Sequence, residues 1–180
     1  SDVPTRVLQA LSGPCIGHLD PVFSAMMEEM KGLLRYAFQT RNPVTFPVSG
    51  PGTAAMEGCL ANLVAPGDKV LVAKNGAFGG RLAEMARRQG GEVATVDFAW
   101  GEPVDPNKVA EALKANPGTK VLAFVHAETS TGARSDAEAL CALARDHGAL
   151  SVVDAVTSLG GSPVEVDAWG ADAVYSGSQK

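Results

Sequence analysis

The stretch ADAVYSGSQK at 171–180 ends in a lysine that follows a short apolar run. The run predicts a buried strand, and the small residues at 176–178 predict a loop after it. A lysine held near apolar walls loses solvation, which lowers its pKa and leaves a neutral amine able to form a Schiff base. A solvated terminal charge is the simpler interpretation of Lys180, because most lysines lie on protein surfaces.

A second candidate site is the glycine-rich sequence SGPGT at 49–53. We expect a strand at 44–48 before it and a helix at 54–64 after it. A loop of this kind offers free backbone N–H groups to an anion, the helix dipole favours negative charge, and Thr53 adds a hydroxyl. A plain turn with a helix cap explains the same residues, so SGPGT alone does not establish a phosphate site.

A third candidate is Asp154, which lies inside the apolar run LSVVDAV at 150–156. A buried carboxylate is costly unless it has a partner. Asp154 could cap a neighbouring loop, or it could pair with a cationic nitrogen of a ligand. The second interpretation gives this run a chemical role.

Composition restricts the classes of protein to which the chain can belong. The 180 residues suffice for one domain with a core, and the net charge is −5. No basic stripe with interleaved aromatics favours nucleic-acid binding, and no apolar run approaches the roughly 18 residues of a membrane helix. The N-terminus lacks the features of a secretory signal. Cys15, Cys59 and Cys141 lack disulfide or zinc-ligand spacing, so we expect a cytoplasmic protein without a metal site.

The periodicity of the chain predicts an α/β fold. Helices are expected at 4–11, 21–38, 54–64, 78–89, 105–116 and 135–147, and strands at 44–48, 69–73, 92–98, 120–126, 150–156 and 171–175. This alternation indicates βαβ units in a three-layer, mainly parallel sheet. Ligands bind such sheets beyond the carboxyl ends of the strands, so we expect the candidate residues to meet at that edge. The methionine stripe of 21–38 favours a core or subunit contact.

A Schiff-base lysine, an acidic partner for a pyridinium nitrogen and a phosphate-holding helix start are what pyridoxal phosphate (PLP) requires. The chain resembles the class V aminotransferases of PLP fold type I, and within them the alanine–glyoxylate, serine–pyruvate and serine–glyoxylate group. The resemblance rests on FQTRNPVT, SGPGTAAMEG, LVAKNGAFGGR, HAETSTGA, VVDAVTSLGG and YSGSQK, which follow one another in consistent order.

The resemblance implies an N-terminal helical segment at 1–40 and an incomplete PLP-binding large domain at 41–180. Family members continue with a smaller C-terminal domain that is absent from this sequence. That portion supplies the arginine for the substrate carboxylate and the partner-subunit contacts to the phosphate. We therefore expect these 180 residues alone to be inactive, and the functional interpretation applies to the parent protein.

The resemblance also implies a role for each candidate around the cofactor ring. Lys180 would form the Schiff base and act as general base and acid between the substrate Cα and the cofactor. Asp154 would hold the pyridine nitrogen protonated. Val156 and Phe78 would pack on opposite ring faces, and Thr129 would bond the phenolic oxygen. Many relatives carry tryptophan or tyrosine in place of Phe78.

The phosphate end of the cofactor is implied to rest on Gly52, Thr53 and Gln179. Relatives often carry histidine where Thr53 stands, but a hydroxyl can still donate a hydrogen bond. His126 is expected to pack or to support the site rather than to act as a catalyst.

The implied reaction is transamination from a small amino acid, alanine or serine, to glyoxylate or pyruvate, in a homodimer. A 2-aminoethylphosphonate or pyridoxamine–pyruvate transaminase shares much of this pattern. Cysteine desulfurases usually stack a histidine on the cofactor, which Phe78 argues against. A non-enzymatic flavodoxin-like or NAD-binding module is the alternative of a different class, but SGPGT lacks GxGxxG and such a module does not need Asp154 with Lys180.

Overall fold

The computed structural model describes residues 2–180, so only Ser1 of the predicted N-terminal segment lies outside the described residues. The helices are α1 (Thr5–Leu11), α2 (Pro21–Phe38), α3 (Gly52–Leu63), α4 (Ala77–Arg88), α5 (Pro106–Ala115), α6 (Ala137–Asp146) and α7 (Val166–Trp169). The strands are β1 (Lys69–Lys74), β2 (Glu92–Asp97), β3 (Thr119–Val125), β4 (Leu150–Asp154) and β5 (Ala173–Tyr175). Within residues 2–180, none of the helices has the length and apolar character needed to cross a membrane.

The five strands form one parallel sheet in the order β2-β1-β3-β4-β5. The central strands are apolar almost throughout, because helices cover both of their faces. Helices α5, α6 and α7 contribute to the apolar cluster on one face, and α3 and α4 contribute to the cluster on the other. The structure therefore confirms the predicted three-layer α/β architecture.

Most of the longer helices begin at a capping side chain, but α3 does not. Asp20, Asp105 and Asp136 each accept a hydrogen bond from a backbone N–H in the first turn of their helix. Pro51 precedes α3, and its side chain makes no capping hydrogen bond. The start of α3 thus lacks the capping side chain that α2, α5 and α6 have.

The strand predicted at 44–48 is wrong. Residues 44–48 form no strand and do not join the sheet, and Val44, Phe46 and Val48 are exposed. Pro43 and Pro47 have no backbone N–H, so the segment cannot form a regular ladder with a neighbour. The sequence also gave no indication of the short helix α7, because four residues are too few for a periodic pattern.

Helix α2 packs loosely on the rest of the chain. None of its residues is buried within the described chain, which excludes the core interpretation of its methionine stripe here. Just after it, the Thr40 hydroxyl donates to Asp167 at 2.5 Å, and the Arg41 backbone N–H donates to the same carboxylate at 2.9 Å. These contacts attach the end of α2 to α7.

Candidate active site

The start of α3 and the end of β5 meet at the carboxyl edge of the sheet. A Cβ atom on Gly52 would lie 3.3 Å from Val156 Cγ2 and 4.0 Å from Gly177 Cα. A Cβ on Gly177 would in turn lie 3.4 Å from Gly52 Cα. The absence of side chains on both glycines lets the SGPGT and SGSQK loops approach each other closely. The structure therefore brings together two stretches that the sequence identified separately.

Asp154 lies at the end of β4 and is only 3% exposed. Its Oδ1 accepts a hydrogen bond from Val156 N at 2.9 Å, and its Oδ2 accepts one from the Tyr175 hydroxyl at 2.8 Å. Burial raises the pKa of Asp154, and the charge of Glu128 adds to the rise, while the two hydrogen bonds and Arg81 oppose it. Each oxygen keeps a free lone pair, so the carboxylate can still accept a further donor.

Tyr175 was not predicted as a site residue, because in the sequence it is only the end of an apolar run. It stands opposite Asp154 in the register of β4 and β5, with its side chain buried. Burial and the neighbouring carboxylate raise the pKa of Tyr175 well above its ordinary value, so its hydroxyl stays a proton donor. A buried tyrosine needs a partner for its hydroxyl, which was the available signal.

Arg81 connects two predicted cofactor residues and was also missed. Its Nη1 donates to Thr53 Oγ1 at 3.1 Å, and its guanidinium carbon lies 4.8 Å from the centroid of the Phe78 ring. Phe78 and Arg81 stand one helical turn apart on α4, which places them on one face. The spacing in AFGGR was the signal for this pair. Arg81 brings positive charge next to the SGPGT loop.

Thr129 follows β3, and its hydroxyl is hydrogen-bonded to the hydroxyl of Thr157, which follows β4. This contact places Thr129 beside the turn that carries Val156. His126 is hydrogen-bonded through Nδ1 to Ser158 Oγ at 2.9 Å, and its ring packs edge-on against Trp169 at 4.9 Å between centroids. Burial lowers the pKa of His126, which favours the neutral ring. His126 is thus a packing residue, as the sequence analysis expected.

Gln179 and Lys180 follow β5 in the SGSQK loop, and both side chains are exposed. The apolar walls expected around Lys180 are not formed by residues 2–180, because β5 ends at Tyr175 and residues 178–180 are exposed. The loop nevertheless starts at the Gly52–Gly177 contact. Lys180 therefore belongs to the same edge of the sheet as Asp154 and α3.

Comparison with known proteins identifies the family. The family profile described as aminotransferase class-V matches residues 13–180. The chain is 40% identical over 180 residues to the (S)-ureidoglycine–glyoxylate transaminase of Bacillus subtilis, covering 99% of this chain and 43% of that protein. It is 42% identical over 180 residues to the alanine–glyoxylate aminotransferase of Rattus norvegicus, covering 100% of this chain and 43% of the relative.

A solved structure agrees with the sequence relatives. The crystal structure of an alanine–glyoxylate aminotransferase from Nostoc sp. superposes with a TM-score of 0.97 at 51% identity, over 100% of this chain and 48% of that one. The chain thus spans about half the length of the relatives that it matches. Its sheet is that of the PLP fold type I large domain, as predicted. The chain belongs to the class V aminotransferases.

Proposed function

We propose that this chain is the PLP-binding part of an aminotransferase that moves an amino group from alanine or serine to glyoxylate or pyruvate. The observation that carries the proposal is the buried carboxylate of Asp154 beside the Gly52–Gly177 contact. One edge of the sheet thereby offers a negative group for a ring nitrogen and open backbone donors for a phosphate. Class V aminotransferases use PLP, which carries both groups.

The residues present fit this cofactor. The start of α3, which has no side-chain cap, suits an anion, and Thr53 with the nearby Arg81 adds a hydroxyl and a positive charge. Burial raises the pKa of Asp154. An approaching cationic N–H would oppose this rise, because an opposite charge favours the ionised carboxyl. A Cβ at Gly52 would crowd Val156, so glycine keeps the entrance of this cradle open.

Each of these side chains has a role in the proposed mechanism. When bound, PLP supplies an aldehyde and a protonated ring that withdraws electrons. Asp154 would hold the proton on the ring nitrogen, and its bonds to Val156 N and Tyr175 fix the orientation of the carboxylate. Val156 and Phe78 would confine the ring, and Thr129 would donate a hydrogen bond to its phenolic oxygen.

Gln179 would join Gly52 and Thr53 in holding the phosphate, and Lys180 would perform the proton transfer. Its Nζ provides the amine that attaches the cofactor. Once released from the cofactor, Nζ would act as a base that takes the proton from the substrate Cα and then as an acid that delivers it to the cofactor. Positioned proton transfer of this kind contributes about 10²–10⁴-fold to a rate.

Glyoxylate is the acceptor that the comparisons favour. The B. subtilis, rat and Nostoc relatives are all named for it, although their amino donors differ. A panel of alanine, serine, aspartate and 2-aminoethylphosphonate, each paired with glyoxylate and with pyruvate, identifies the substrates of the full-length protein. Turnover of only 2-aminoethylphosphonate would contradict the proposed donor.

The full-length Lys180→Ala variant tests the chemical assignment. We expect loss of turnover, because the attachment point and the proton carrier are removed together. After borohydride reduction, mass spectrometry should find the cofactor on the peptide containing Lys180 in the wild type and on no peptide of the variant. The matched control is Lys114→Ala, which changes an exposed lysine on α5. This variant should retain turnover and cofactor attachment to the peptide containing Lys180. Cofactor attachment that persists in Lys180→Ala would contradict the assignment.

We also propose a homodimer in the cytoplasm. The exposed apolar side chains Val22, Met26, Leu33 and Tyr36 on α2 support a second copy as the partner of that helix. The three free cysteines support a reducing compartment. Sedimentation of the full-length protein as a monomer at micromolar concentration would contradict the dimer, and cell fractionation tests the compartment.

A further inference from the structure

Glu128 is a fully buried carboxylate that none of the roles above uses. Its Oε2 accepts hydrogen bonds from the backbone N–H groups of Phe78 and Gly79, both at 3.1 Å. Its Oε1 accepts from Ser130 N at 3.1 Å and from the Ser130 hydroxyl at 2.8 Å. Four donors therefore share the two oxygens, which is the arrangement that a buried carboxylate needs.

The four donors come from two different strand ends. Phe78 and Gly79 lie in the first turn of α4, which follows β1, whereas Ser130 lies in the loop after β3. A carboxylate beside the first N–H groups of a helix also meets the positive end of the helix dipole. Glu128 thus joins the element that carries the Phe78 ring to the loop that carries Thr129.

The backbone at Gly76 passes close to Glu128 and Ser130. A Cβ on Gly76 would lie 2.4 Å from Glu128 Cγ, 2.6 Å from Glu128 Cδ and 2.6 Å from Ser130 Oγ. The Ser130 hydroxyl also accepts a hydrogen bond from Ala77 N at 3.0 Å, which adds a second link between the same two elements. Residues 76–79, at the start of α4, are therefore held against the loop that follows β3.

We infer that Glu128 is a positioning residue that holds Phe78 and Thr129 in register with each other, so that both reach one bound cofactor. This inference rests on the proposed function, which places the Phe78 ring and the Thr129 hydroxyl against PLP. Glu128 itself is buried behind them and touches their backbone or their neighbours rather than the substrate. Its charge also acts on Asp154, whose pKa it raises.

The test compares full-length wild type with Glu128→Gln. A glutamine amide has one accepting oxygen, so its NH₂ group must face one of the two donor pairs and break it. In the apo protein we expect amide hydrogen exchange at 78–79 or at 130 to accelerate at least about tenfold, because a hydrogen bond to a charged group is lost. With PLP added, we expect altered visible circular dichroism of the cofactor and affinity weaker by about tenfold.

Two further variants make the result interpretable. Glu111→Gln, an exposed residue of α5, is the matched control and should behave as wild type in every measurement. Ser130→Ala removes one donor and the link to Ala77 without adding a donor, and should produce smaller changes of the same kind. If Glu128→Gln does not fold, Ser130→Ala carries the same comparison.

The outcomes separate the two proposals. A wild type that binds no PLP contradicts the proposed function, while exchange at 78–79 and 130 still reports on the hydrogen bonds of Glu128. A wild type that binds PLP, together with variants that lower thermal stability but leave the cofactor dichroism and affinity unchanged, makes Glu128 a structural residue only and overturns the inference. Faster exchange with altered dichroism at a temperature where the variants are fully folded supports it.

Discussion

Replacing Asp154 by asparagine should stabilise the apo protein and weaken its hold on PLP. Asparagine has nearly the same shape, its oxygen can accept from Val156 N, and its NH₂ can donate to the Tyr175 hydroxyl oxygen. The variant therefore removes the charge while keeping the bond from Val156 N and reversing the bond with Tyr175, whose hydroxyl then accepts. Burying a carboxylate costs several kcal/mol, and the two hydrogen bonds offset only part of that cost. We expect a net gain of about 1–2 kcal/mol at pH 7.5.

The sign of this effect follows from the pKa of Asp154. The folded chain raises that pKa, so the native state binds the proton more readily than the unfolded chain, whose aspartates ionise near pH 4. The stability cost is therefore present above the raised pKa and disappears as the pH falls towards the unfolded value. The advantage of Asp154→Asn should accordingly shrink between pH 7.5 and pH 4.

The disadvantage of Asp154→Asn is a weaker affinity for the cofactor. A hydrogen bond to a charged group contributes about 1.5–3 kcal/mol, so the variant should bind PLP about 10- to 150-fold more weakly. Thermal unfolding of the full-length apo protein and absorbance titration with PLP measure the two effects. Asp97→Asn is the matched control, because Lys74 lowers the pKa of Asp97 and removing that charge should give no stabilisation. A destabilised Asp154→Asn apo protein whose PLP affinity stays within twofold of wild type would refute the reasoning.

Two further predictions concern packing and thiol chemistry. Gly76→Ala should destabilise the full-length protein by about 1–3 kcal/mol, because its Cβ would stand 2.4 Å from Glu128 Cγ. Urea titration would show this as a lower midpoint. An unchanged midpoint would show that Glu128 moves freely. Cys141 should resist alkylation in the native protein at pH 8, since burial raises its pKa to about 11, whereas the exposed Cys15 should react. Mass spectrometry after brief iodoacetamide treatment distinguishes the two thiols, and equal labelling would contradict the buried environment of Cys141.

The regular elements were predictable because their patterns are long. Helix α2 was predicted with the bounds that the structure shows, since eighteen residues display the helical period and Pro21 and Gln39 delimit it. The segment 44–48 resembles a strand in sequence because Val44, Phe46 and Val48 have the residue types of a strand. Its two prolines, which carry no donor for a ladder, were the stronger signal.

The site was predictable in its members but not in its connections. Asp154 was recognisable because a carboxylate in an apolar run needs a partner, and the structure shows Tyr175 as that partner. The partner could not be deduced in advance, since it depends on β5 pairing with β4 in a particular register. The role of Glu128 escaped prediction for the same reason: two of its four donors, Phe78 N and Gly79 N, are some fifty residues away in the sequence.

The Gly52–Gly177 approach has a consequence for the timing of synthesis. Gly52 leaves the ribosome about 125 residues before Gly177, which at about 5–20 residues per second is a delay of about 6–25 s. Throughout that interval the start of α3 has no β5 against which to close, and the apolar face of α3 lacks Tyr175 as a neighbour. The nascent chain therefore has to wait for β5 before the start of α3 can close against it, and free PLP supplied earlier does not find these two elements together.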